Sequence, residues 1–320
     1  MKVFAASLAL SVAISSAAYA QSDWPSRPVT LVVPFSAGGI TDIVARRLEP
    51  VLSKELGQSV VVMNVAGHPS IGTRRVIDAA PNGYEFLIHE TGIMTAEASG
   101  VQDFGYRDLK PVAAVANLCL VMLSRADAGW KTVEEVKAGA EGRELIAGVA
   151  IGGLSHMAAL AGAEVGGFNV RAAQVGGSAD AYAALLGKQI DLMFTAPADA
   201  MNYTRGEGTE VREDADATAV LYFGPERFEG LPEVQSMADI GSDASICAPH
   251  IVFAPKETPD EIVEKMAAAL KAAYNEGDLR DFMQNIGGTE LFVSGAELQG
   301  FLDNQWNAIA PLAERATSAN

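Results

Sequence analysis

Val29-Thr30-Leu31-Val32-Val33-Pro34-Phe35-Ser36-Ala37-Gly38-Gly39-Ile40-Thr41-Asp42 runs from an apolar, β-rich segment through a glycine break into the start of a helical period. Val29 to Phe35 reads as a buried strand. From Thr41 the residues Val44, Leu48, Leu52 and Leu56 fall on one helical face, and Gly57 is the stop. Pro50 lies inside that period. An interior proline costs about 3 kcal/mol in a straight helix, so a kink or early break is expected there. Ser59 to Met63 is a second strand, followed by the loop Gly67-His68-Pro69-Ser70 and a helix over about 71–80. Pro81-Asn82-Gly83 ends that helix, and Tyr84 to His89 is a third strand. Strand, helix, strand, helix, strand points to a parallel, wound α/β sheet.

The alternation returns downstream. Leu145 to Ala150 is a strand, Gly152-Gly153 a turn and Ser155 to Val165 a helix. Gln174-Val175 and Gly176-Gly177 precede a helix through Leu186, which leads to the strand Ile190 to Phe194. Two α/β units therefore share the chain, without a sequence repeat strong enough to mark a duplication. The long apolar run Val115 to Leu123 separates them, and the similar run Ala244 to Ala254 follows the second. Helices near Pro259–Tyr274 and Ala296–Leu312 close the chain. Two α/β lobes joined by two crossing strands, with the last helices returning to the first lobe, are the expected architecture.

Met1-Lys2, the uncharged small-residue run Val3 to Ala18 and the A-x-A site Ala18-Tyr19-Ala20 read as a secretory signal peptide over 1–20, cleaved after Ala20. The run is too short for a comfortable membrane span. About 300 residues then remain, enough for two ordinary domains. The chain carries 23 basic and 40 acidic residues, a formal net charge of −17 that becomes −18 once Lys2 is lost. Such an excess argues against nucleic-acid or anionic-membrane partners, which need clustered Lys and Arg. It does not exclude an anionic ligand, because backbone N–H groups bind anions locally. Cys119 and Cys247 could pair in an oxidising compartment, but two cysteines make no disulfide scaffold.

The chemistry concentrates at the glycine turns. Glycines after a strand let the backbone turn and approach a ligand, and the following helix presents unpaired N–H groups and its positive dipole end. Ser36 to Gly39 therefore suits a carboxylate, sulfate or phosphate, with Thr41 or Asp42 as helix cap or Asp42 facing a polar ligand group. Ser155 and Ser178 stand where second-unit helices begin, as caps or as hydroxyl donors. The nucleotide-binding spacings G-x-x-x-x-G-K-[ST] and G-x-G-x-x-G do not occur. Neither serine lies in G-x-S-x-G, and no spacing pairs His68, His89, His156 or His250 with a serine and an acid. No metal motif or cofactor requirement is read.

With these residues in view, the chain resembles the Bug (TctC-like) family, the periplasmic solute receptors of tripartite tricarboxylate transporters. Trp24-Pro25-Ser26-Arg27-Pro28 leads into Val33-Pro34-Phe35-Ser36-Ala37-Gly38-Gly39-Ile40-Thr41-Asp42-Ile43-Val44-Ala45-Arg46, similar to the family's V-P-F-x-x-G-G-x-x-D-x-x-A-R. Ala80 to Tyr84, Leu231 to Val234, and Phe253-Ala254-Pro255 with Thr258-Pro259 match further family segments. The resemblance implies a type II periplasmic-binding-protein fold with a ligand cleft between two lobes, 21–121 with 249–320 as lobe 1 and 122–248 as lobe 2. It implies carboxylate contacts from Phe35, Ser36, Ala37, Gly38, Gly39 and Asp42. Further contacts map onto Ser70, Thr91, Gly92, Ser155, His156, Gly177 and Ser178. It also places Cys119 and Cys247 on neighbouring crossing strands, where the two could pair; whether they are bonded is left open by the sequence.

Departures from the pattern bear on the ligand. Ser70 replaces an asparagine that many relatives carry, and Val175-Gly176-Gly177-Ser178 stands where relatives often have Y-K-G-S. A phenol and a cation are missing from that wall, and Asp180 adds a negative charge beside it. The far end of the ligand is therefore expected to be neutral or amine-bearing. The expected function is a monomeric, non-enzymatic periplasmic receptor that closes over a small carboxylate and is recognised by an inner-membrane permease. The rival readings are a receptor presenting its ligand to a sensor protein, and a hydrolase.

Overall fold

The computed structural model describes residues 24–318, apart from Ala66, Gly176, 206–211, Glu213, Ala244 and the side chains of Thr317 and Ser318. The signal-peptide reading and the Gly176 position of the second glycine pair lie outside the described residues. The first unit is β1 (Val29–Val33), α1 (Ile40–Leu56), β2 (Val60–Asn64), α2 (Pro69–Ile77), β3 (Glu85–His89), α3 (Gly92–Ala98) and β4 (Leu109–Ala116). The second is β5 (Val121–Arg125), α4 (Val133–Gly139), β6 (Leu145–Val149), α5 (Leu154–Gly166), β7 (Val170–Gln174), α6 (Ser178–Leu186), β8 (Leu192–Thr195), α7 (Pro197–Arg205), β9 (Ala217–Tyr222) and β10 (Gln235–Ser236). The chain then returns through β11 (His250–Pro255), α8 (Asp260–Glu276), α9 (Leu279–Asn285), β12 (Val293–Ser294) and α10 (Ala296–Ser318).

Two six-stranded sheets result, ordered β12-β4-β11-β3-β1-β2 and β10-β9-β5-β8-β6-β7. Each has a parallel trio, β2-β1-β3 or β7-β6-β8, with the incoming crossing strand, β11 or β5, antiparallel beside it. Over five strands the two lobes thus repeat one topology that the sequence does not repeat; the sixth differs, β12 being antiparallel to β4 and β10 parallel to β9. β1 is apolar except for the half-buried Thr30, because both of its faces are covered. Val29, Leu31 and Val33 pack with Leu48 and Leu52 of α1 and Met266 and Leu270 of α8, while Val32 packs with Val76, Ile93 and Leu302.

Three expectations change. α1 continues through Pro50 to Leu56, so the early break does not occur. Pro50 is exposed, so water can solvate the carbonyl left without an N–H partner. The apolar run 115–123 is not one strand: β4 ends at Ala116 in one sheet and β5 starts at Val121 in the other. α10 does not belong to the first lobe alone. Leu298 and Leu302 lie in the first-lobe core, whereas Leu312, Ala313 and Ala316 are buried in the second. Its apolar stripe is long enough to serve both.

Between β4 and β5, Cys119 forms an isolated antiparallel bridge with Cys247, and a disulfide joins the two with a Cα–Cα distance of 4.0 Å. Both half-cystines are buried. The bond closes a loop with a sequence separation of 128, and such a constraint is worth about 2–5 kcal/mol against the unfolded chain. The unreduced protein should therefore weigh two hydrogens less than the dithiol, and reduction should lower its unfolding free energy by about 2–5 kcal/mol, read as a lower urea midpoint. Two free thiols in the intact mass would overturn this.

Candidate functional site

Strand direction fixes where the loops gather. β4 leaves its sheet at Ala116, and β3 and β1 run the same way, because β11 is antiparallel to both β3 and β4. The carboxyl ends of β1 and β3 therefore face the crossing. In the second sheet β8 and β6 run against β5, so their carboxyl ends face the crossing too. The loops at 35–39, 90–92 and 150–153, and Val175 and Gly177, consequently lie on the interlobe side of the two sheets, where α/β folds place their ligands.

The first-lobe turn is built around Asp42. Gly38 takes φ +84°, a left-handed conformation that glycine adopts without strain. Its N–H donates to Asp42 Oδ2 at 2.8 Å, Arg46 Nε lies 3.0 Å from the carboxylate, and Asn64 Nδ2 donates to Oδ1 at 2.9 Å. Asn64 also donates to the Phe35 carbonyl at 3.1 Å. Burial alone would raise the Asp42 pKa, but these hydrogen bonds outweigh it and hold the carboxyl below its ordinary value. Asp42 is buried and fully engaged, so it braces the turn instead of reaching outward. The helix cap is Gly39, which has no side chain, and the first intrahelical bond runs from Ile43 N–H to the Gly39 carbonyl. The N–H groups of Ile40, Thr41 and Asp42 thus have no partner one turn back. Ser36, Ala37, Gly38 and Gly39 are exposed above them.

The remaining first-lobe candidates are partly committed. Ser70 Oγ lies 2.7 Å from His68 Nδ1, the side chain that caps α2 by accepting from Ser70 N–H. Gly72 lets α2 pack on the turn, since a Cβ there would sit 2.8 Å from Pro34 Cβ. Gly92 donates its N–H to Glu90 Oε2 at 2.6 Å, and Thr91 Oγ1 donates to the same oxygen at 3.2 Å. Thr91 is buried, and its hydroxyl also lies 3.5 Å from the Cys247 carbonyl. Phe35 sets its ring edge-on to His89, centroids 5.1 Å apart.

In the second lobe, side chains hold the loops as Asp42 does in the first. Ser155 Oγ accepts from Ala150 N–H at 2.9 Å, His156 Nδ1 from Gly152 N–H at 3.2 Å and Gln174 Oε1 from Ile151 N–H at 2.9 Å. Ser155 and His156 brace that loop and do not pair with each other. Thr195 Oγ1 donates to Asp199 Oδ2 at 2.9 Å and so accepts from Ser178 Oγ at 2.8 Å. Gly177 is the exposed cap of α6, and Asp180 is exposed in its first turn. Arg46, Asn64, Glu90, Gln174, Thr195 and Asp199 were not legible as site residues. A polar side chain closing an apolar strand, as at Asn64 and Gln174, is the one signal that could have found them. Among the described residues, no cluster of three or more His, Cys, Asp or Glu could hold a metal ion.

Replacing Asp42 with Ala strands three donors and should cost about 2–4 kcal/mol, read as a lower urea midpoint. An unchanged midpoint would show that the turn is held by something else. His89 and His250 are buried, and desolvation lowers each to about 4 from 6.5. Between those values the unfolded chain binds more protons than the fold, so both contributions to stability shrink as pH falls. Glu90 opposes them, because burial raises its carboxyl. His250→Gln should therefore lose less stability than wild type between pH 6.5 and 4.5 in urea titrations. Equal losses would remove His250 from this account.

The profile of the tripartite tricarboxylate transporter family receptor matches residues 44–317. A UPF0065 protein of Bordetella pertussis is 27% identical over 97% of this chain and 95% of its own length. A TctC solute-binding protein from Polaromonas superposes with TM-score 0.80 at 28% identity, covering 91% of this chain and 99% of that one. MatC from Rhodopseudomonas palustris, solved with bound malate, superposes with TM-score 0.64 at 25% identity, over 92% and 98% of the two chains. The chain belongs to the tripartite tricarboxylate transporter receptor family and has the two-lobed type II fold of its periplasmic binding proteins.

Proposed function

We propose that this receptor captures one carboxylate group of a small ligand on the exposed turn Ser36–Gly39 and closes the second lobe, 122–248, over it. The carrying observation is the turn itself: exposed backbone at a helix start, capped by a residue with no side chain and braced from beneath by Asp42. An anion there meets unpaired N–H groups and the positive end of α1. Binding at such a turn needs no catalytic group, and Ser155 and Ser178 are occupied with holding loops. Malate in the R. palustris relative supports a carboxylate as the ligand class. The closed receptor, a periplasmic monomer freed of residues 1–20, then hands its ligand to a membrane permease.

The far end of the ligand is neutral or amine-bearing. The second-lobe loops use their own acceptors on their own N–H groups, and Asp180 adds negative charge to the exposed start of α6. A thermal-shift screen of the mature protein against monocarboxylates, dicarboxylates, tricarboxylates and amino acids tests both parts. A ligand at about a hundred times its Kd stabilises the fold by about 2.7 kcal/mol, and the largest shifts should come from monocarboxylates or amino acids. A clear preference for a tricarboxylate would refute the second part, and no shift with any carboxylate would refute the first.

A further inference from the structure

Beside the carboxylate turn, the protein supplies an anion of its own. The register Thr30↔Glu85, Leu31↔Phe86, Val32↔Leu87 between β1 and β3, continued past the strand ends, sets Glu90 level with Phe35. Neighbouring strands lie about 4.8 Å apart, so Glu90 begins one strand spacing from the turn proposed to hold the ligand. Its side chain is 21% exposed on the interlobe side, neither sealed in the core nor free in solvent. Two donors fix it there, the Gly92 N–H at 2.6 Å and the Thr91 hydroxyl at 3.2 Å. Burial raises the Glu90 carboxyl, and these two bonds work against it by favouring the ionised group. Gly92 leaves room for it: a Cβ at that residue would lie 2.3 Å from Glu90 Oε1. The donors at the end of β3 that could have received a second ligand carboxylate are therefore already filled by a tethered one.

We propose that Glu90 is a specificity-determining residue that excludes a second ligand carboxylate from the end of β3 and accepts a hydrogen bond from an ammonium or hydroxyl group there. This rests on the reading of Ser36–Gly39 as the carboxylate turn. A ligand with one carboxylate and a donor on the adjoining carbon satisfies both walls of the first lobe. A dicarboxylate brings like charge against Glu90 and finds the Gly92 N–H and Thr91 hydroxyl taken.

Calorimetric titration of mature wild type and Glu90→Gln with L-lactate, L-alanine, succinate and malate tests this. Glutamine keeps an acceptor for Gly92 while removing the charge. Wild type should bind L-lactate or L-alanine at least about tenfold more tightly than either dicarboxylate, and Glu90→Gln should shrink that ratio about tenfold or more. If Glu90→Gln does not fold, Glu90→Ala, which leaves space for water, carries the same expectation. A ratio unchanged within about threefold overturns this inference and leaves the carboxylate reading standing, as does wild type that prefers succinate or malate. Binding of none of the four by either protein overturns this inference, while the carboxylate reading falls only when no carboxylate in the thermal-shift screen shifts the melting temperature.

Discussion

A single buried carboxylate organises the first lobe. Asp42 gathers donors from three places: the glycine turn through Gly38, the next turn of α1 through Arg46, and the end of β2 through Asn64. Asn64 adds the Phe35 carbonyl, so the ends of β1 and β2 and the start of α1 are tied to one anion. A buried, unpaired carboxylate would be strongly unfavourable, and here each oxygen is met. The result is an exposed turn held from below, with the N–H groups of Ile40, Thr41 and Asp42 left without a partner one turn back. The strong negative charge of the chain is therefore no obstacle to binding an anion, because Asp42 beneath the turn is paired with Arg46 and the helix start beside it presents N–H groups.

The second lobe solves the same mechanical problem with neutral groups and a different consequence. Ser155, His156 and Gln174 accept from three successive N–H groups, those of Ala150, Gly152 and Ile151. Those donors would otherwise point toward the crossing. The loop before α5 thus spends its backbone donors on its own side chains, whereas α6, like α1, starts at a glycine cap with no side-chain bond. What separates the proposed carboxylate turn from that start is the acid beside each: Asp42 is paired beneath the first, while Asp180 is exposed in the first turn of α6.

Much of the fold was legible because it is written in local patterns. β1, α1, β2 and β3 follow from apolar runs, a helical period and glycine stops, and the same signals mark β6, α5 and β8. Other features depend on groups distant in sequence. The run 115–123 reads as one strand because both sheets need apolar residues, and only the pairing of β4 and β5 with strands of different sheets shows where one ends and the next begins. The period of α10 records that one face is apolar, not that its two ends face different cores. At the site, spacing located the turns but not their bonds. Asp42, Ser155 and His156 fit either a ligand contact or a brace by residue type, and the partner of each is settled by tertiary geometry. Glu90 went unread because an acid after a strand is ordinary until Gly92 and Thr91 are seen to hold it.

Those same features constrain how the lobes can move. The disulfide ties the two crossing segments where they pass between the sheets, so the lobes cannot separate there and must turn about that tie. α10 is a second connection, anchored by Leu302 in one core and Leu312 in the other, and any closure must be taken up along it. Glu90 stands close to this pivot: Thr91, which donates to its carboxylate, also approaches the Cys247 carbonyl. A group near the axis of rotation is displaced less than one at the rim. On the closure proposed above, Glu90 and the neighbouring turn at Ser36–Gly39 would meet a ligand first and the exposed start of α6, carrying Asp180, afterwards. The proposed selection by charge would then fall to the first lobe, and enclosure to the second.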